Sequence, residues 1–163
     1  MTAPGTVPIS SIPQTTAVQA KGWIFDAIKA QFVGDDTMTV FWDQPDASIP
    51  TENIVVVHRI LNRTTTHYRM MGTGGAGSFL ESYSIEIAID CYAGGDSGET
   101  RALETSAWSY ASIVEAVVRS DPSLGGLVIQ AWPSQSTDDP EWDQEHKGRL
   151  VHIALSVAIE AQI

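Results

Sequence analysis

Residues 79–119 read FLESYSIEIAIDCYAGGDSGETRALETSAWSYASIVEAVVR, and this stretch decides the fold. Tyr83, Ile85, Ile87, Ile89 and Cys91 fall on one side of a period-two pattern, while Ser84, Glu86, Ala88, Asp90 and Tyr92 fall on the other. That alternation predicts a strand with one face buried and one face wet. The run Gly94-Gly95-Asp96-Ser97-Gly98 then predicts a turn. After it the period changes: Leu103, Ala107, Tyr110, Ala111, Val114, Val117 and Val118 recur at three- and four-residue steps, the apolar stripe of an amphipathic helix. A strand that runs straight into such a helix needs further strands to complete its sheet.

The flanking chain supplies them. Residues 1–14 (MTAPGTVPISSIPQ) hold three prolines and one glycine without helical or strand period, and predict an extended arm. Thr15 and Thr16 are candidate N-caps of a helix to about Phe32, with Val18, Ile24, Phe25, Ile28 and Phe32 on its apolar side, Lys21, Asp26 and Lys29 in water, and Gly34 closing it. Residues 37–42 (TMTVFW) form a short β-prone run, followed by a loop broken by Pro45 and Pro50. Ile54 to Leu61 (IVVVHRIL) is apolar at nearly every position and predicts a strand covered on both faces. Residues 62–77 follow as a long Gly-rich loop or a hairpin extension, with His67, Tyr68, Arg69, Met70 and Met71 at its centre. Beyond the helix, Asp121-Pro122 ends it and Leu124 to Trp132 predicts another strand opened by two glycines. Ser134 to Lys147 is expected to be an acidic loop carrying Asp138, Asp139, Glu141, Asp143 and Glu145 around Trp142. Val151, Ile153, Leu155, Val157 and Ile159 then alternate in a closing strand. The expected class is α+β: one domain, order α-β-β-β-α-β-β, with a mainly antiparallel sheet of about five strands and two helices on one face.

Composition bounds the function. The 163 residues suffice for one core, and 43% hydrophobic with 18% charged residues describes a folded chain. Twenty acidic against nine basic residues, net −11, argue against a phosphate-binding surface. The single cysteine, Cys91, lies in the apolar register of its strand and reads as a small buried hydrophobe. No basic-then-apolar leader opens the chain and no apolar run approaches the ~18 residues of a membrane span, so the expectation is synthesis in the cytoplasm without membrane contact.

The chemistry-bearing strings are weak. Gly72 to Gly77 matches GxGxxG by letters, but a strand pattern follows where the dinucleotide mechanism requires a helix. His58, His67, His146 and His152 show no metal-ligand spacing, and the acidic run 138–145 lacks the order of a calcium loop. No serine stands in a GxSxG elbow. No cofactor, metal or catalytic residue is therefore expected, and the chain reads as a non-enzyme. Trp42, Trp132 and Trp142 lie at strand ends or in loops, where they either close the core or anchor an interface.

Helix 17–32 after a short arm, strand 82–93 with its Gly-Gly-Asp turn, helix 99–118, the acidic run and closing strand 149–160 together resemble the tail terminator (tail-completion) proteins of long-tailed bacteriophages. The resemblance covers nearly all of the chain beyond residue 14 and is one of element order, not of a diagnostic string. It implies a virion protein that forms a hexameric ring on the last ring of tail tube protein, stops polymerisation and offers its other side to head-completion (neck) proteins, while DNA passes through. On that reading His67, Tyr68, Arg69, Met70, Met71 and Trp142 are candidate contacts between subunits or with the tube, and Asp138, Asp139, Glu141 and Asp143 are candidate channel-facing acids.

Overall fold

The computed structural model describes residues 15–45, 51–67, 79–94, 100–143 and 148–163. Its elements are α1 (Ala17–Gln31), β1 (Met38–Phe41), β2 (Asn53–His67), β3 (Phe79–Gly94), α2 (Thr100–Ser120), β4 (Gln130–Asp143) and β5 (Gly148–Gln162). The strands form one sheet in the order β1-β2-β3-β5-β4, with β1 parallel to β2 and every other pair antiparallel. The expected α+β class and element order are what the chain adopts.

β3 lies at the centre, paired with β2 on one side and with β5 on the other. Tyr83, Ile85, Ile87, Ile89 and Cys91 are buried on the helix side, in register with Val55 and Val57 of β2 and with the odd-numbered residues 151–159 of β5. α2 packs over β3, β4 and β5, and α1 over β1 and β2. Ala107 and Ala111 of α2 and Ala17 and Ala20 of α1 are buried in this core, and such small side chains let helix backbones come close to a sheet. On the opposite face, Ile54, Val56 and Ala88 make a small second cluster with Phe41 against it, which accounts for the unbroken apolar run in β2.

Three expectations about α1 and β4 are corrected. Lys21 is buried, not in water, because it shares the stripe of Ala17, Ile24 and Ile28; its ammonium lies 4.3 Å from the centre of the Trp42 ring. Burial lowers its pKa, opposed by the charge of Asp43. Val18, placed in the apolar stripe by the sequence, is 60% exposed. The strand expected from Leu124 starts only at Gln130, since Leu124, Gly125 and Gly126 adopt φ of 49°, 73° and 82°, a left-handed run that no strand accommodates. Asp121 fixes this turn by accepting bonds from the backbone N–H groups of Ser123 and Gly125.

Where β3 meets β5 at its far end, Gly94 faces Gly148 and the Tyr92 ring lies across the latter. A Cβ added to Gly148 would stand 2.5 Å from Cε2 and Cζ of that ring. Gly148→Ala must therefore push the ring aside, and the expected cost is about 1–3 kcal/mol. A urea midpoint equal to that of the parent protein would show that the ring moves freely.

Candidate assembly surfaces

The first surface is the outer half of the β2–β3 hairpin. Pairing continues from Thr64↔Ser82 to His67↔Phe79, so residues 62–67, read as part of a loop or extension, are strand. All six are exposed. A bulge between Leu61 and Thr64, with Asn62 at φ 54°, breaks the period there and hides the strand from pattern reading. β1 pairs only with Asn53–Val56, so from Val57 onward the outer edge of β2 has no neighbouring strand among the described residues. His67 is the last described residue of β2, with its ring edge-on to Phe79, centroids 5.3 Å apart. Tyr68, Arg69, Met70 and Met71 lie outside the described residues.

At the root of this ribbon stands a residue the sequence reading passed over. Glu81 is fully buried. Its carboxylate accepts from the Thr16 N–H at 3.0 Å and the Thr16 hydroxyl at 3.2 Å, and it also binds the Thr15 hydroxyl and the Arg63 guanidinium. Thr16 Oγ1 is also within 2.9 Å of the Tyr83 hydroxyl. Thr16 occupies the N-cap of α1 but makes no side-chain cap of its own. Thr15 Oγ1 accepts the Ala17 N–H at 3.1 Å, and the Glu81 carboxylate, from a distant strand, accepts the Thr16 N–H and places a negative charge at the positive end of the helix. Burial alone would raise the Glu81 pKa; the bonds from Thr15 and Thr16, with Arg63, outweigh it and hold it below the usual carboxylate range. One buried group thus ties the start of α1 to both strands of the ribbon. The signal was present in the sequence: Glu81 shares the register of Tyr83 and Ile85, where an acid is out of place.

The second surface is β4. The expected acidic loop is a strand as far as Asp143, paired with β5 from Gln130↔Glu160 to Asp143↔Gly148. It runs along the sheet's edge, and residues 134–142 are all exposed, so neither of its faces carries an apolar alternation to read. Pro133 and Pro140 are tolerated because this is an edge strand. Asp138, Asp139 and Glu141 are exposed, and Asp138 accepts the Trp108 indole N–H at 3.4 Å. The Asp143 side chain lies outside the described set. Trp142 is 44% exposed, with the Arg149 guanidinium 5.1 Å from its ring centre. The structure therefore gathers the four acids onto one strand and sets the β2 tip on the other side of the sheet. Trp42 is 40% exposed and packs edge-on to Phe25, while Trp132 is half-buried.

On the face the helices leave open there is a groove of about 540 Å³, lined by Ile54, Val56, His58, Glu86, Asp90 and His152 among others. His58 Nδ1 is 3.0 Å from Asp43 Oδ1, and His152 Nδ1 meets Asp90 Oδ1. Neither imidazole bonds to a hydroxyl or thiol among the described residues. Cys91 is buried, its thiol pushed up to about 12 by burial and by the neighbouring Asp90 charge, which keeps it unreactive. Among the described residues no three His, Cys, Asp or Glu side chains are placed to hold a metal ion. No described helix is long and apolar enough to cross a membrane.

No protein-family model and no curated protein sequence matches this chain. Among solved structures, a chain from the virion of a native gene transfer agent particle is similar, with 10% identity over 91% of this chain and 100% of that one, at a TM-score of 0.46. Likeness at that level carries no argument about role.

Proposed function

We propose that this chain is a structural virion protein of a phage-like tail, which closes into a ring on the end of the tail tube, ends tube polymerisation and presents a joining surface to the head-completion proteins. The observation that carries the reading is the outer run of β2: residues 62–67 are exposed, pair with β3 on one side and have no strand on the other among the described residues, and are held at their root by a fully buried, multiply bonded carboxylate. A firmly anchored, exposed edge strand is ready-made for contact with a neighbouring subunit. The net charge of −11 suits a wall past which DNA slides without sticking. No step of this role needs a nucleophile, metal or cofactor.

Deleting residues 66–76 tests it. The expected result is a folded protein with a cooperative thermal transition, unable to form rings by light scattering and negative-stain imaging, and unable to limit tube length when added to polymerising tube protein. Normal rings and normal tube lengths from that variant would remove the ribbon from the mechanism. The groove on the open sheet face favours a second reading, a small-ligand-binding domain. That reading expects a monomer indifferent to tube protein, whose thermal midpoint rises with a small molecule that is lost on His152→Ala.

A further inference from the structure

Among the described residues, the two margins of the sheet that lack a neighbouring strand differ in the charges their own strands carry. On one side lies the unpaired stretch of β2, His58-Arg59-Ile60-Leu61-Asn62-Arg63-Thr64-Thr65-Thr66-His67, which contains two arginines and two histidines and no acid. On the other lies β4, whose residues 130–143 contain Asp138, Asp139, Glu141 and Asp143 and no lysine or arginine. The sheet order β1-β2-β3-β5-β4 puts β4 at one limit of the sheet and the exposed half of β2 at the other, because β1 ends at Phe41. Each margin is also a strand with unspent backbone hydrogen-bonding capacity, the usual template for pairing with another chain.

We propose that these margins are the two halves of a single head-to-tail contact, the acidic β4 of one copy lying along the basic free edge of β2 in the next. This rests on the ring reading above and names the surface that would build the ring. The occupant is a second copy of this chain, because each edge finds its complement in charge and in hydrogen bonding on the same molecule. A contact between two different patches is heterologous, so it repeats from copy to copy and closes only if the rotation does. β2 and β4 do not simply pair with their own kind: β4 against β4 sets acid on acid, and β2 against β2 sets arginine on arginine, which costs affinity. Pro133 and Pro140 limit how much of β4 can add backbone bonds, leaving the run between them, Ser134 to Asp139, for pairing. Past the second bulge, Thr64–His67 pairs regularly with β3, and its three threonines are β-branched. Arg59 and Arg63 already hold Glu86 and Glu81 in their own subunit. They are 61% and 43% exposed at the side chain and retain donors for a neighbour.

Complementary reversal tests the contact. One variant carries Asp138→Lys, Asp139→Lys and Glu141→Lys; the other carries Arg59→Glu, Thr64→Glu and Thr66→Glu. Each is checked for folding by far-ultraviolet circular dichroism, and the milder Asp139→Asn/Glu141→Gln pair serves if either triple variant fails to fold. Sedimentation velocity at 50 mM salt should show each triple variant alone as a monomer, its self-association weakened at least ~100-fold by like charge across the contact. Mixed one to one, they should assemble, since every acidic margin then meets a basic one. The milder variant should assemble about tenfold more weakly than the parent and lose most of its salt dependence. Assembly of the triple variants, or of the milder pair, as strong as the parent's would overturn the edge contact while leaving the ring. A parent protein that stays monomeric at every concentration and on tube ends would overturn both. Parent assemblies that grow into open chains and respond to reversal would sink the ring and keep the contact.

Discussion

Glu81→Ala is expected to lower the unfolding free energy by about 3 kcal/mol. Removing one member of a buried pair costs roughly 3–5 kcal/mol, and Arg63, with 43% of its side chain exposed, regains some hydration when released. The Thr16 N–H and hydroxyl lose their acceptor at the first turn of α1. Glu81→Gln keeps the shape and loses the charge, so it should fall between the two. The sign with pH follows from the depressed pKa of Glu81 in the folded protein. Its contribution is fully present above the unfolded carboxylate value of about 4.3 and is lost as pH falls through the folded value. The urea midpoint of the parent should therefore fall more steeply than that of Glu81→Gln as pH drops below about 4.3. Parallel curves would mean the carboxylate is not charged in the folded state. Because the same residue fixes the ribbon root, Glu81→Gln should also weaken assembly at pH 7 while the protein stays folded.

Ile87→Ala should cost a similar amount for a different reason. Ile87 lies at the middle of the central strand, paired with Val57 and Leu155, and has no exposed surface. Truncating a buried isoleucine removes transfer free energy and leaves a cavity that a close-packed sheet-helix interface fills only in part, together about 2–5 kcal/mol. Unlike the Glu81 effect, this loss should be the same at pH 4 and pH 7, and it should leave the assembly behaviour of the folded fraction intact. A midpoint shift below about 0.5 kcal/mol would mean that the two sides of the core are not in contact at β3. Measured side by side, the two substitutions separate what holds the core from what holds the ribbon.

The core of this protein is legible because burial writes itself as period. β3, β5 and α2 each bury one face, so alternation or a three-to-four step survives in their residues, and the structure places those residues inside. The same logic explains the misreadings. Residues 62–67, left open between a loop and a hairpin extension, and residues 134–142, expected as loop, are strand but exposed, and an edge strand wet on both faces needs no alternation. The bulge at Asn62 also breaks the period of β2 midway.

Sequence alone determined the class of fold, the order of its elements, the core-facing residues of β3 and β5 and the acidic balance of the chain. Those properties depend on local period and on counts, which neighbours along the chain carry. Only the tertiary structure decided that Glu81 is an anchor, since its partners Arg63 and Thr16 are 18 and 65 residues away. It also decided that Lys21 is covered, and that an acidic strand and a basic strand end up on opposite margins of one sheet. Strand order is set by which edges meet in space, and nothing in the local pattern of β2 or β4 states it.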